Sequence, residues 1–282
     1  MSSKYDLHTH STASDGTLAP RELITQGAKA GIEIISLTDH DTLSGIDEAS
    51  KEALKIGLKL IPGVEISVSW SGITIHILGL GVDHKNKRLI ERLDQIKEIR
   101  LNRARLISQK LSDFGCPDLF KEAMQFSNGQ AIGRTHFARA LIKVGYAKNI
   151  GHAFKNFLVK GKPGYVKDAW IALPEAIKMI KSAGGQAVIA HPKKYKLSRT
   201  KLKDLTRDFA DLGGEGLEII SGCYDFSEEK DLVSLANDHN LLGSLGSDYH
   251  GPDKPWVKLG NLPGLSPLCK PIWHDWVERH QV

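Results

Sequence analysis

Short apolar runs recur along the chain, and polar residues follow each of them. The clearest runs span residues 32–37, 58–64, 187–190 and 241–246. Between the runs, apolar residues recur at three- or four-residue spacing, as in the segment 46–56. A short apolar run is typical of a buried strand, and the wider spacing is typical of an amphipathic helix. The pattern therefore predicts strands that alternate with helices, as in β/α folds.

The alternation changes at two places. Residues 65–70 and 73–78 alternate apolar and polar positions around Ser71-Gly72, which predicts a β-hairpin. Residues 116–167 instead show short helical pieces broken by glycines. This second change indicates an insertion.

The predicted fold class is α/β, a distorted β/α barrel with an inserted, mainly helical cap subdomain. The barrel is expected to comprise residues 1–95 and 168–282, and the cap residues 96–167. The 282 residues are 41% hydrophobic and 25% charged, which is ordinary for a globular protein. No run approaches the roughly 20 apolar residues of a membrane helix, and the first residues lack a signal peptide's apolar core. A cytoplasmic location is expected.

Positive charge is concentrated in the predicted cap. The chain has a formal net charge of +5, and between residues 123 and 167 it carries eight Lys/Arg residues and no Asp or Glu. Such a one-sided segment creates a positive field that suits phosphates.

Imidazole and carboxylate side chains stand at the ends of the predicted strands. The pair His8 and His10, with Asp15 just beyond, is weak by itself, because two such rings on a strand simply share one face. The pattern recurs, however, and functional residues of a β/α barrel collect at the carboxyl ends of its strands. The later strand ends carry His40, Glu65, His76, His191, Asp248 and His250.

The motifs at these strand ends, taken in their order along the chain, resemble those of the PHP (polymerase and histidinol phosphatase) superfamily. The resemblance implies a barrel of the PHP type. Within the superfamily the chain is most similar to bacterial phosphoesterases that remove the 3′-phosphate of nucleoside 3′,5′-bisphosphates, whose relatives include a 5′→3′ exoribonuclease acting on short RNAs. The motifs are His8-x-His10 with Ser14-Asp15-Gly16, Thr38-Asp39-His40, Gly63-Val64-Glu65, His76, Ala190-His191-Pro192 and Ser247-Asp248-Tyr249-His250.

The resemblance implies a cluster of two or three divalent metal ions. Nitrogen and oxygen ligands without thiolate favour Mn, with Zn or Fe as alternatives. The widely spaced Cys116, Cys223 and Cys269 argue against a thiolate site or a disulfide framework. At the position of Asp15, some superfamily members carry a histidine instead. An aspartate oxygen is a harder ligand than an imidazole nitrogen. The implied ligand sets are His8, His10, Glu65 and Asp248; Glu65, His76 and His191, with Glu65 bridging; and Asp15, His40 and His250.

The implied reaction is hydrolysis of a phosphoester. We hypothesise that a metal-bound hydroxide attacks phosphorus in line, without a covalent phosphoenzyme. The residues expected to be catalytic are Asp15, His40, His191, Asp248 and His250.

Substrate recognition is predicted in and near the cap. Gly133-Arg134-Thr135-His136 precedes an apolar helical pattern, so its backbone amides and Arg134 can receive a phosphate at a helix amino terminus. For any single lysine, a solvated surface role is the alternative. The predicted substrate-binding residues are Arg134, His136, Lys162, Lys193 and Tyr195.

Several charged residues have two interpretations. Asp39 and Asp41 either orient imidazoles or serve as a helix cap or a solvated acid. For Glu218 an ordinary role at a strand end is favoured. For the arginines of the helix that starts near residue 89, including Arg100 and Arg103, a solvated face is favoured.

Three functions stay open. The leading one is a metal-dependent phosphoesterase for a small phosphorylated nucleotide or a short 5′-phosphorylated oligonucleotide. The alternatives are a phosphomonoesterase similar to histidinol phosphatase and a non-catalytic PHP module that binds nucleic acid. Neither a membrane nor an obligate protein partner is expected.

Overall fold

The computed structural model describes residues 4–127, 131–167, 169–222, 226–253 and 256–276. Its first strands pair in parallel, and α1 and α2 pack Leu23, Ile24 and Ala49 against the sheet. The elements are β1 (Tyr5–Thr9), α1 (Pro20–Lys29), β2 (Ile34–Leu37), α2 (Ile46–Ile56) and β3 (Lys59–Trp70).

The predicted hairpin is present. β3 turns through Ser71 and Gly72 into β4 (Ile73–Leu80), and the two strands pair antiparallel. Both turn residues have positive φ (46° and 78°), as a two-residue type I′ turn requires. β3 runs without a break through Glu65, so the two predicted strands that meet there are one strand. It can do so because its first half pairs with β2 and its second half with β4.

The middle of the chain is helical and forms a second core. α3 begins at an Asn86 cap and contributes to both cores: Leu93 and Ile96 pack with the barrel, whereas Ile107 and Leu111 pack with the later helices. The predicted boundary between residues 95 and 96 therefore falls inside one continuous helix. The elements are α3 (Lys87–Asp113), α4 (Phe120–Phe126), α5 (Arg134–Lys143) and α6 (Ile150–Ala153), followed by a π-helical turn (Phe154–Leu158).

The last strands nearly close the sheet. β6 lies antiparallel to β4, whereas β7 and β8 continue in parallel, and β5 adds to β3. Across the remaining gap, Asp248 N donates to His8 O (2.8 Å) and His10 N donates to Tyr249 O (2.9 Å). The predicted fold class, a distorted α/β barrel, is confirmed. The elements are β5 (Ile171–Ala172), α7 (Leu173–Ser182), β6 (Gln186–Ile189), α8 (Arg199–Asp211), β7 (Gly216–Ser221), α9 (Phe226–Asp238) and β8 (Leu242–Gly246).

Two further expectations concern membranes and thiols. Among the described residues, no helix combines the length and the apolar character needed to cross a membrane. Cys116 and Cys269 are buried free thiols. Cys223 lies outside the described residues.

Candidate metal centre and adjoining cavity

Glu65 lies at the centre of the side chains that the strand ends bring together. It is fully buried on β3. Its Oε2 lies 3.3 Å from His8 Nε2 and 3.2 Å from His10 Nε2. Its Oε1 lies 2.8 Å from His76 Nδ1 and 2.9 Å from His191 Nε2. The two oxygens of one carboxylate thus face different pairs of imidazoles.

Four atoms of the first group are spaced like the corners of a tetrahedral coordination shell. They are His8 Nε2, His10 Nε2, Glu65 Oε2 and Asp248 Oδ1. Five separations among them lie between 3.1 and 3.4 Å. Ligands about 2.0–2.1 Å from a tetrahedral ion are about 3.3 Å apart. The spacing therefore matches a shell around one cation.

His40 joins the remaining ligand candidates to this group. His250 Nε2 lies 3.2 Å from Asp15 Oδ1, and His40 Nε2 lies 3.9 Å from the same oxygen. The other ring nitrogen of His40 lies 3.0 Å from Glu65 Oε2. The structure thus places His40 between Asp15 and Glu65, whereas the sequence-based partition assigns it to the Asp15 set alone.

The donor atoms of the cluster fit divalent cations. Asp15 Oδ1 and Glu65 Oε2 are buried and have no hydrogen-bond partner in the described structure, whereas buried polar atoms are normally paired. The cluster offers imidazole nitrogens and carboxylate oxygens without thiolate, a set that suits Mn, Fe or Zn. A cluster of cations would satisfy the unpaired oxygens.

The three carboxylates of the cluster are held in the charged form. Burial alone would raise the pKa of Glu65 and of Asp15, but the neighbouring histidines outweigh it and hold both pKa values well below the usual range. For Asp248, burial is outweighed by Lys194 first and then by His250, so its pKa is also low. Ionised carboxylates at neutral pH are ready to bind cations.

Four imidazoles of the cluster have shifted pKa values, in two opposite directions. Burial lowers the pKa of His191 to about 4 and also lowers the pKa of His40. At His8 and His10, burial is outweighed by Glu65 and other carboxylates, which raise the pKa of His10 to about 9 and that of His8 well above its ordinary value. A cation must therefore compete with protons at His8 and His10.

Glu218 supports two of the ligand candidates. It is fully buried on β7, its Oε1 lies 3.0 Å from His8 Nδ1, and its Oε2 accepts a hydrogen bond from His191 N (2.5 Å). An ordinary role at a strand end is therefore wrong for this residue. A carboxylate on the far nitrogen of a ligand imidazole fixes its tautomer and orientation.

Glu218→Gln is expected to weaken Mn²⁺ binding about 10- to 100-fold, because the amide cannot satisfy His8 Nδ1 and His191 N as the carboxylate does. Chelator competition with purified protein measures this affinity. Glu98→Gln, on the exposed face of α3, is the matched control and should bind Mn²⁺ like the wild type. Equal affinities for all three proteins would show that Glu218 does not act on the centre.

Asp39 holds the loop that carries Asp15. Its carboxylate accepts hydrogen bonds from Ser11 N (2.8 Å), Ser11 Oγ (2.6 Å) and Ser14 Oγ (2.6 Å), and the residue is buried. Within the described residues, its carboxylate thus bonds to serines rather than to an imidazole. Both interpretations from the sequence are therefore wrong for this residue, which shapes the loop instead.

Asp41 and Arg100 form a buried ion pair between the barrel and α3. Arg100 Nε donates to Asp41 Oδ2 (2.6 Å), and Asp41 Oδ1 accepts from Ser67 N (2.7 Å). The solvated interpretation is wrong for both residues, which are buried. Removal of one partner of a buried pair costs about 3–5 kcal/mol, so this contact fixes α3 beside His40.

A cavity of about 360 Å³ adjoins the cluster. Arginines from α3 and α5 line it, and each is held over an aromatic ring: Arg100 and Arg103 lie 5.0 and 5.6 Å from the Trp170 ring, and Arg134 lies 6.0 Å from the Phe154 ring. The cavity therefore has cationic groups of the helical segment in addition to the carboxylates of the barrel. Also lining it are Asp15, His40, His76, His191, Lys194, Tyr195, Asp248 and His250.

The predicted substrate-binding residues divide into two groups. Arg134 and Tyr195 line the cavity, whereas His136, Lys162 and Lys193 do not. Lys193 lies 3.7 Å from Glu228, beside a different cavity. Its neighbour in sequence, Lys194, lines the cavity instead.

His136 has a structural role rather than the predicted role in substrate binding. It is fully buried, its Nδ1 accepts a hydrogen bond from Gly133 N (3.0 Å), and its Nε2 donates to Ser14 O (3.1 Å). Both ring nitrogens are thus engaged. Burial lowers the pKa of His136 to about 4, so the ring stays neutral and links α5 to the Asp15 loop.

The sequence model of the PHP domain matches residues 6–187, a span that contains six of the nine clustered ligand candidates. The chain belongs to the PHP domain family. The 3′,5′-nucleoside bisphosphate phosphatase of Chromobacterium violaceum is 41% identical over 271 residues, 96% of this chain and 95% of its relative. A 5′-3′ exoribonuclease of Haemophilus influenzae is 40% identical over 273 residues, 97% and 99% of the two chains.

Two solved structures share the fold. A Chromobacterium violaceum protein described as an amidohydrolase, with bound sulfate and no metal, gives a TM-score of 0.92 at 41% identity over 98% of this chain and 97% of that one. A Bifidobacterium adolescentis protein assigned to the metal-dependent phosphoesterases gives a TM-score of 0.81 at 29% identity. This match covers 95% of this chain and 92% of that one. The predicted family, fold class and phosphoester hydrolase activity are therefore confirmed, whereas the role of each site residue stays a prediction.

Proposed function

We propose that this PHP enzyme hydrolyses the 3′-phosphate of nucleoside 3′,5′-bisphosphates with a cluster of divalent cations. The observation that carries the proposal is the division of charge in the cavity. The barrel contributes the carboxylates of Asp15 and Asp248, and the helical segment contributes Arg100, Arg103 and Arg134. A substrate with two phosphates can place one at the cation cluster and the other at the arginines.

The nine clustered side chains would hold the cations. Glu65 would hold cations with both of its oxygens, because these face different imidazole pairs. The mixed nitrogen and oxygen donors favour Mn²⁺, with Zn²⁺ or Fe as alternatives. When bound, such ions supply an activated water and neutralise charge on phosphoryl oxygens.

The side chains proposed as catalytic all reach the substrate space. Asp15, His40, His191, Asp248 and His250 line the cavity, whereas His8, His10 and Glu65 are fully buried. The residues that line the cavity can contact the scissile phosphate as well as hold cations. The fully buried His8, His10 and Glu65 can hold cations but cannot contact the substrate.

The amino terminus of α5 is the proposed site of the second phosphate. Gly133, Arg134 and Thr135 line the cavity there. Within the described residues, Arg134 makes no ion pair with a carboxylate, so its charge is available to an anion. Backbone amides and the helix dipole add to the attraction.

Arg134→Ala is expected to lower kcat/KM for adenosine 3′,5′-bisphosphate about 10- to 100-fold, mainly through KM, because a charge-assisted phosphate contact is lost. Steady-state kinetics with the Mn²⁺-loaded enzyme measures the effect. Lys160→Ala removes an equal charge from an exposed residue of the same basic segment and should leave kcat/KM unchanged. A similar loss in both variants would point to a diffuse field rather than a phosphate site.

A short 5′-phosphorylated oligonucleotide is a second candidate substrate. The basic segment extends beyond the cavity, because the described Lys160 and Lys162 do not line it. Such residues can follow a nucleic-acid backbone outside the pocket. The exoribonuclease activity of the Haemophilus influenzae relative supports this candidate.

Product analysis tests the proposal. Mn²⁺-loaded enzyme is incubated separately with adenosine 3′,5′-bisphosphate, histidinol phosphate and a 5′-phosphorylated RNA trinucleotide. We expect inorganic phosphate and 5′-AMP from the first, with little release from histidinol phosphate. Formation of 3′-AMP, or preference for histidinol phosphate, would reject the proposal.

A further inference from the structure

We propose that Lys194 is a catalytic residue whose ammonium group contacts the phosphoryl group that is hydrolysed. Of the residues that line the cavity in the described part of the chain, Lys194 alone is a lysine. The inference rests on the proposed function, since it concerns the phosphate that binds at the cluster. Neither the metal ligands nor the arginines of the helical segment supply this contact.

The position of Lys194 follows from its contact with Asp248. Its Nζ contacts Asp248 Oδ2, and the other oxygen of that carboxylate lies 3.2 Å from His10 Nε2. A single carboxylate thus separates the ammonium from the centre of the cluster. Lys194 and Asp248 line the same cavity, so the ammonium faces the space that a phosphoryl group held beside Asp248 would occupy.

Lys194 retains capacity for a second contact. An ammonium has three donor hydrogens, so the contact with Asp248 leaves others for phosphoryl oxygens. The side chain is 47% exposed and lines the cavity. Asp248 therefore anchors the ammonium without enclosing it.

The backbone around Lys194 is fixed in an unusual turn. The 3₁₀ turn Pro192–Tyr195 is flanked by His191 and Lys196, non-glycine residues with positive φ (28° and 53°). Tyr195 anchors the turn, because its hydroxyl accepts from His76 N (2.8 Å) and donates to Ala190 O (2.9 Å). Backbone outliers of this kind persist where the surroundings enforce them, and they are common at functional sites.

In the proposed step, Lys194 stays protonated. The water oxygen forms a bond to phosphorus and the bond between phosphorus and the 3′-oxygen breaks. One proton of the water ends on the leaving 3′-oxygen, and the other remains on the released hydrogen phosphate. The ammonium neutralises negative charge on the non-bridging oxygens and transfers no proton.

The variants Lys194→Met, Lys194→Arg and Lys193→Met test this role. Lys193 is the matched control, because it is adjacent in sequence, carries the same charge and faces Glu228 at 3.7 Å instead of the cavity. For each Mn²⁺-loaded protein, calorimetry measures the Kd of inorganic phosphate, kinetics measures kcat/KM, and metal analysis measures bound Mn²⁺. The phosphate titration needs no knowledge of the true organic substrate.

We expect Lys194→Met to raise the Kd of phosphate and lower kcat/KM by about 10- to 100-fold each, with Mn²⁺ content unchanged. Lys194→Arg should recover most of the loss, and Lys193→Met should match the wild type. Unchanged phosphate binding in Lys194→Met, an equal loss in Lys193→Met, or a loss that follows Mn²⁺ content would each overturn the inference. If adenosine 3′,5′-bisphosphate is not turned over by the wild type, only the proposed function fails, and phosphate binding still decides the role of Lys194.

Discussion

Glu65→Gln is expected to lower kcat by about 10³-fold, because metal-centre chemistry supplies several kcal/mol of transition-state stabilisation. Glu65 Oε2 faces His8 and His10, and Oε1 faces His76 and His191. Glutamine keeps the shape but has one neutral oxygen and one NH₂ group. It can therefore serve at most one of the two imidazole pairs.

Metal analysis and kinetics on the same preparation check this expectation. Bound Mn²⁺ should fall together with kcat, and circular dichroism should be unchanged because the two side chains are isosteric. Glu33→Gln removes a carboxylate that is 60% exposed and paired with Lys4, so it should retain both metal and turnover. Full Mn²⁺ occupancy with kcat within tenfold of the wild type would show that Glu65 is not the bridge.

The sequence was most informative where local pattern and topology agree. Parallel strands and the turn at Ser71-Gly72 follow from apolar periodicity and turn chemistry. The continuous β3 was not predicted, because a strand that changes neighbours halfway has the same sequence pattern as two strands. The predicted boundary between residues 95 and 96 lies inside α3 for a related reason: one helix packs against two cores, and its apolar stripe does not distinguish them.

Most of the ligand candidates were predictable because they stand at or just after the end of a strand, where the fold determines their position, whereas Glu65 and His76 lie inside β3 and β4. Glu218 lies inside the short strand β7, and nothing local distinguishes a carboxylate that supports His8 from one that meets solvent. Arg100 could not be identified, because its partner Asp41 is 59 residues away and the pair forms only in the tertiary structure. Lys193 and Lys194 are adjacent lysines, and the sequence does not show which of them faces the cavity. The turn after His191 determines this.

These contacts connect the helical segment to the metal centre. Asp41 follows His40 directly and holds Arg100, while His136 of α5 contacts the loop that carries Asp15. The elements that supply the cavity arginines are thereby fixed against two of the candidate ligands. The same contacts, Asp41 with Arg100 and His136 with the Asp15 loop, therefore position both the cavity arginines and the candidate ligands.

The affinity of the centre for Mn²⁺ is expected to rise with pH between about 6.5 and 9. The carboxylates raise the pKa of His10 to about 9, and they raise the pKa of His8 well above its ordinary value, against the effect of burial. A cation binds neutral imidazole, so it must displace these protons. The affinity should therefore rise about tenfold per pH unit for each displaced proton.

Stability should show two opposite trends. In chelated protein, protonated His10 stabilises the fold fully below its ordinary pKa of 6.5, and this contribution is lost as the pH rises through about 9. In Mn²⁺-saturated protein, the added stability grows with pH as affinity grows. The difference in Tm between the two forms should therefore widen from pH 6.5 to 9.

Chelator competition and thermal unfolding at three pH values measure both quantities, and activity should disappear on chelation and return with Mn²⁺. His84 is paired with Asp47 away from the cluster. His84→Gln should therefore leave the pH dependence of the Mn²⁺ affinity and of the Tm difference unchanged. A Tm difference and a Mn²⁺ affinity that are constant across this pH range would mean that His8 and His10 are already neutral before the cations bind. The carboxylates would then not retain protons on these two rings, and the electrostatic description of the centre would have to be abandoned.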